Sequence, residues 1–221
     1  MKKSICNVLV AFFVGLSLAL VMIPATAQAL PLSIDFGSGE AGVGGLITLL
    51  SGPNATGSGI PVDILTVQGT ASKDGVYETS GSFSFKDPSG NNDKAAVLSF
   101  NTETGAISIV GGVPSLSIPD DTTLLSGTFS SFTVLQPYAN TLSVMGSGSD
   151  TKNVTLLTAL GIDPKTQWGF FGFSITSDFN GVTGKGDAIS TDITNTRVPE
   201  PSALLLLGSG LVGVLALRRK Q

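Results

Sequence analysis

Histidine is absent from this 221-residue chain, and cysteine occurs once, as Cys6. Without histidine there is no Ser-His-Asp or Cys-His catalysis, no imidazole metal ligand and no ordinary proton switch near neutral pH. Cys6 lies within an apolar N-terminal stretch, so the remainder of the chain has no disulfide framework. It lies at the start of the apolar run instead of following it, which is the wrong place for a lipoprotein cysteine. Charged residues make up 13% of the chain, against about a quarter in an average soluble domain. Tryptophan occurs once and tyrosine twice.

Positive charge is scarcest in the middle. Between residues 30 and 197 there are seven basic residues (Lys73, Lys86, Lys94, Lys152, Lys165, Lys185 and Arg197) against fifteen acidic ones, a net charge of −8. Such a body is unsuited to nucleic acid, whose phosphates require Lys and Arg. It suits a soluble extracellular protein or one that meets cations. The length allows one domain or two small ones, and a body of this size buries enough surface to fold without staples.

What the chain does have is two distinctive ends. Lys2 and Lys3 precede an apolar run over 5–23, which is followed by Pro24 and by two overlapping A-x-A sites ending at Ala27 and Ala29. Basic, apolar and small residues in that order form a secretory signal peptide. Residues 1–29 are therefore expected to be read by the Sec translocon and removed by signal peptidase, with Ala29 the favoured site. An uncleaved anchor helix is the alternative.

At the other end, Val198-Pro199-Glu200-Pro201 leads into an apolar stretch from Ala203 to Leu217 and then Arg218-Arg219-Lys220. The 15 apolar residues would span about 22 Å as a helix, short of the roughly 30 Å of a bilayer core, unless the bilayer thins. The basic cluster places this end in the cytoplasm and the body on the far side. The two prolines disfavour helix, so the peptide beside the membrane is expected to stay extended, as protease substrates do.

Val-Pro-Glu-Pro, a short apolar helix containing small residues and a basic terminus together resemble the PEP-CTERM sorting signal, over residues 198–221. The resemblance implies an exported precursor handed to an exosortase, a membrane protease or transpeptidase. It implies that Pro199, Glu200 and Pro201 are the recognition element and that 203–217 is the membrane stop. It also implies a place in the envelope or exopolysaccharide matrix. An ordinary single-pass anchor that is never cut is the competing reading.

The body, 30–183, has a strand pattern. Short runs rich in Val, Ile, Thr and Phe, separated by Gly, Asn, Asp and Ser, occur at 32–36, 46–50, 62–68, 77–85, 95–100, 106–110, 124–134, 141–145, 154–159, 168–175 and 182–189. Alternation is clearest at 81–85 and 127–132. Residues 101–105 read as a hairpin turn. Helix evidence is confined to one turn near 155–160. The expected fold is all-β: an antiparallel β-sandwich or jelly-roll-like body, flanked by a signal helix and a short transmembrane helix. A β-solenoid is less favoured because no repeat period is present. Gly-rich 37–45 and 52–59 read as surface loops, and 184–197 as a polar linker to the sorting signal.

Candidate sites in the body are weak. No catalytic residue and no cofactor are expected. A carboxylate-based glycosidase needs a pair of acids across a cleft. The body has only Glu40, Glu78 and Glu103 besides its aspartates, and Glu78 alone falls on a strand. Asp87, Asn91 and Asp93 gather oxygen donors in one segment, with Asp120-Asp121 a second acidic spot, but a polar turn explains the first as well as calcium does. Trp168-Gly169-Phe170-Phe171-Gly172-Phe173 is the densest aromatic cluster. On a regular strand, Trp168 and Phe170 share one face and Phe171 and Phe173 the other, so Trp168 would serve as a sugar platform or as core. Asn54-Ala55-Thr56 and Asn153-Val154-Thr155 match the glycosylation pattern by coincidence. The expected function is thus a non-enzymatic surface or matrix protein, with a carbohydrate-binding module as the alternative and a glycosidase third.

Overall fold

The computed structural model describes residues 31–38, 44–86 and 92–197. Twelve strands occur in them: β1 (Ser33–Gly37), β2 (Gly44–Leu49), β3 (Ala55–Val62), β4 (Ile64–Gln68), β5 (Gly75–Glu78), β6 (Phe83–Lys86), β7 (Asn92–Asn101), β8 (Ala106–Val113), β9 (Ile118–Tyr138), β10 (Thr141–Lys152), β11 (Trp168–Asn180) and β12 (Lys185–Arg197). A single 3-10 turn (Pro114–Leu116) and one short helix, α1 (Val154–Ala159), complete the described elements.

Every pairing between strands is antiparallel. The order β11-β10-β9-β8-β7-β3-β2-β12 returns on itself because β11 also pairs with β12. Eight strands thus close into a barrel. A side path, β1-β4-β5, leaves the barrel at β12. The fork lies within β12 itself: Lys185, Gly186 and Ala188 pair with β2, whereas Asp192 to Thr196 pair with β1.

The all-β class and antiparallel pairing are those expected from the sequence. The described strands form a closed barrel, not the separate facing sheets of a sandwich. Local alternation shows which side of a strand is buried, but not which edge strands meet. The two expected membrane helices lie outside the described residues. Among those that are described, no helix is long and apolar enough to cross a membrane.

Side chains fill the barrel, as eight strands require. Ile47, Ile60, Leu98, Ile109, Leu125, Val144, Phe171 and Ile193 come from all eight barrel strands, and none is exposed. Phe100, Phe129, Phe171 and Phe173 meet edge to face with centroids 5.1–6.5 Å apart, a favoured aromatic geometry. The alternation around 127–132 is broken by a bulge between Phe129 and Ser131. This lets Phe129 and Phe132 both turn toward the core side although two serines separate them.

Three expectations are corrected. Residues 154–159 are helix α1 and not a strand, in keeping with the helical turn expected near 155–160, because the Asn153 carboxamide accepts from the N–H groups of Thr155 and Leu156 at 2.8 and 3.3 Å and so caps a helix. Residues 55–59 belong to β3 and not to a loop. A Cβ on Gly57 would collide with the Phe100 ring, so glycine there permits close packing. Finally, 185–197 is no linker but a 13-residue strand. Its inward positions are Ala188 and, after a bulge, Thr191, Ile193 and Asn195. Two of the four are polar, which conceals the period.

β12 holds β11 and, in succession, β2 and β1. A chain ending at Gly184 is therefore expected not to fold, and far-UV circular dichroism with thermal melting would show no cooperative transition. A transition like that of the full body would mean that 185–197 is dispensable.

Candidate functional site

The two ends of the described chain meet at one end of the barrel. Ser33 pairs with Thr196, the Arg197 N–H donates to the Leu32 carbonyl at 2.9 Å, and Trp168 lies opposite Arg197. The strand runs without a break to the residue before Val198.

Immediately inside this end lies a buried polar cluster. On β10 the inward positions Leu142 and Val144 continue in phase through Gly146 and Gly148 to Asp150 and Lys152. The Lys152 ammonium lies 2.9 Å from Asp150 Oδ2 and 3.2 Å from Oδ1, and neither side chain exposes surface. Asn195 Nδ2 donates to the same Oδ1 at 2.6 Å. Lys152 Nζ also stands 4.1 Å from the centroid of the Trp168 ring, within cation–π range. Asp35 on β1 accepts from the Asn195 backbone N–H at 3.4 Å. Two buried polar atoms here have no hydrogen-bond partner, Trp168 Nε1 and Asn195 Oδ1.

Burial governs the charges. It pushes the Lys152 amine down to about 8, against the opposing pull of Asp150 and Asp35. Burial also raises the Asp35 carboxyl, helped by Asp192 and opposed by the Asn195 N–H and by Lys152. A low-dielectric setting penalises each ion, so such a pair is retained only when its hydrogen bonds are made.

The opposite end of the barrel carries an open groove of about 610 Å³, lined in part by Leu46, Asn140, Asp178, Asn180, Lys185 and Asp187. Asp178 and Asp187 are cross-strand partners. Tyr138 and Val182, at 72% and 97% exposure, stand at the neighbouring hairpin tips. Along β12, eight residue steps separate Asp187 of the groove from Asn195 of the polar cluster, roughly 26 Å of strand.

The candidates drawn from the sequence fall as follows. Ala27, Ala29, Glu40, Asp87, Asn91, Val198, Pro199, Glu200, Pro201, Ala203, Leu217, Arg218, Arg219 and Lys220 lie outside the described residues. Asp93 is exposed on β7, and its carboxylate accepts from the adjacent Lys94 N–H at 2.8 Å. Asp120 binds the Ser80 hydroxyl, and Asp121 that of Ser82 at 3.4 Å. Among the described residues no group of three or more acids is placed to hold a metal. Glu78 and Glu103 are exposed, on β5 and in the β7–β8 turn respectively. Trp168 packs against the core because a register shift between Trp168 and Phe171 removes one residue from the alternation. It therefore joins Phe171 on the inner side, which corrects the expectation that the two point to opposite faces.

Residues 197–220 match the family model of the PEP-CTERM protein-sorting motif. The chain therefore carries the tail of an exported, exosortase-processed precursor. The match covers the tail and leaves the barrel unassigned. No match was found among curated proteins or among solved structures.

Lys152→Met would leave the Asp150 carboxylate buried without its cation, at a cost of about 3–5 kcal/mol. Lys152→Met combined with Asp150→Asn removes that charge, and the double variant is expected to melt well above the single one. Equal melting temperatures would show that the carboxylate is not buried as a charge.

Proposed function

We propose that this chain is a non-enzymatic cell-surface or extracellular-matrix protein, delivered by an exosortase-type system and associated with exopolysaccharide. The sorting motif over 197–220 carries this reading. The barrel is the cargo. Its net negative body suits an extracellular setting, and the absence of histidine removes the commonest hydrolytic machinery.

The placement of the ends supports the route. Leu32 and Arg197 are joined by a hydrogen bond, so the first and last described residues of the body lie together. Five residues, 198–202, separate the strand from the apolar stretch, a reach of roughly 17 Å. A processing enzyme in the membrane would thus have to act on Pro199 two residues beyond the last strand, with Pro199 and Pro201 disfavouring helix there.

A carbohydrate-binding role is the second reading, and the groove favours it. Asn140, Asp178, Asn180 and Asp187 offer amides and carboxylates to hydroxyl groups, and the exposed Tyr138 is near the tip. On this reading sugar would be met at the far end of the barrel and not at Trp168.

The intact mass of the protein from culture medium and envelope of its host tests the route. The expected product starts near residue 30 and ends near Pro199. A product that keeps 203–221 would identify a permanent anchor and overturn the processing model. Pull-down with the host's exopolysaccharide tests the association, and a blank result removes it.

A further inference from the structure

The polar cluster beneath the sorting tail brings together a primary amine, a carboxylate and a carboxamide, each buried and each supplied by a different position. The Lys152 and Asn195 nitrogens bind one oxygen, Asp150 Oδ1, at 3.2 and 2.6 Å. Their separation cannot exceed the sum of those two distances, and the carboxamide carbon is one bond further on. We propose that Lys152 and Asn195 become joined by an intramolecular isopeptide bond, with Asp150 transferring the protons.

The step balances without any other reagent. The ammonium of Lys152 gives a proton to Asp150, and the neutral Nζ attacks Asn195 Cγ. The carbonyl electron pair moves onto Oδ1. Asp150 returns its proton to Nδ2, the nitrogen it already holds, and the Cγ–Nδ2 bond breaks as the carbonyl re-forms. The new amide nitrogen sheds its extra proton, by way of the carboxylate, to the departing ammonia, which leaves as ammonium. One Nζ–Cγ bond forms, one Cγ–Nδ2 bond breaks, and nothing is oxidised or reduced.

Several features of the site favour this reaction. Holding nucleophile, proton carrier and electrophile together makes the step unimolecular. Trp168 Nε1 is a buried donor without an acceptor and Asn195 Oδ1 a buried acceptor without a donor, so charge growing on that oxygen has an unused N–H in the same cluster. The nearby carboxylates are Asp150 and Asp35, with Asp192 beyond Asp35. Separately from this geometry, burial has already lowered the amine to about 8, which makes its neutral form accessible near neutral pH.

The bond would tie β10 to β12 across the intervening β11. It would close the loop from 152 to 195, constraining the unfolded chain as a disulfide does. The anchored residue lies two positions before the sorting motif begins.

The test is peptide mapping of the mature protein expressed from its full-length gene. Trypsin is expected to skip Lys152 and to yield a branched peptide joining Lys152 to Asn195, lighter than its two linear parts by one ammonia. The branch should vanish in Lys152→Arg and in Asn195→Ala. In Asp150→Asn it should form on the order of a hundredfold more slowly. Cleavage after Lys152 with Asn195 at its linear mass, in a protein that melts cooperatively, would overturn the proposal. So would Asn195 recovered as aspartate. The decisive reading is on the natural sequence, so a variant that fails to fold does not affect it. It is also independent of where the tail is cut.

Discussion

The structure depends on the pairing of β12 with three other strands. Its N-terminal part pairs with β2, its C-terminal part with β1, and its whole length with β11. No other strand both closes the barrel and carries the side path. Closure therefore joins residues 44–48 to residues 185–188, and the side path adds the pairing of Ser33 with Thr196, the most distant strand pairing in the described chain. Such non-local contacts are formed late, because the loop entropy must be overcome before the contacts are made. In an exported chain the consequence is directional. The barrel cannot close until its last strand has crossed the membrane, at which point the sorting tail follows immediately behind.

This gives the molecule two functionally different ends. At one, both described termini emerge within one hydrogen bond of each other, above the polar cluster. At the other, the hairpin tips at 139–140 and 181–184 frame a groove of carboxylates and amides. The antiparallel strands that separate them are long and their interior is filled with aliphatic and aromatic side chains. Whatever the groove meets is therefore held about 40 Å of strand away from the tail. On the carbohydrate-binding reading, the delivery signal and the contact surface lie at opposite ends and do not interfere with each other.

How much of this was legible in the sequence varies by level. The strand class followed from β-branched and aromatic runs between turn residues, and the Asn101–Gly105 turn was readable because its chemistry is local: Asn101 Oδ1 accepts from the N–H groups of Glu103 and Thr104. The sorting tail was readable because its three parts are contiguous. Closure was not, since the alternation in β11 and β12 is the same whether they meet in a barrel or in a sandwich. β12 was obscured by Thr191 and Asn195 occupying inward positions, and Trp168 was misplaced by a bulge that no residue type announces. The polar cluster did leave a trace. Continuing the period of Leu142 and Val144 by two at a time reaches Asp150 and Lys152, an inward acid and an inward base on one strand. That trace becomes informative only when Asn195 is known to be inward as well.

The composition of the cluster bears on a wider constraint. A barrel without cysteine in its body cannot use disulfides to resist forces applied through its tail. Yet the tail is where force would arrive, since the strand ends at the residue before Val198. Backbone hydrogen bonds at the strand end, such as that of Arg197 to Leu32, open one after another when pulled in sequence. A side chain anchored inside the barrel must instead be withdrawn through its core. Asn195 is the last inward residue before the tail, fully buried, and it is held by the carboxylate that also holds Lys152. Water exclusion strengthens that contact, because the competing solvation is missing. The same three residues thus serve as a noncovalent anchor before reaction and as a covalent one after it, in both cases at the point where the folded body passes into its sorting signal.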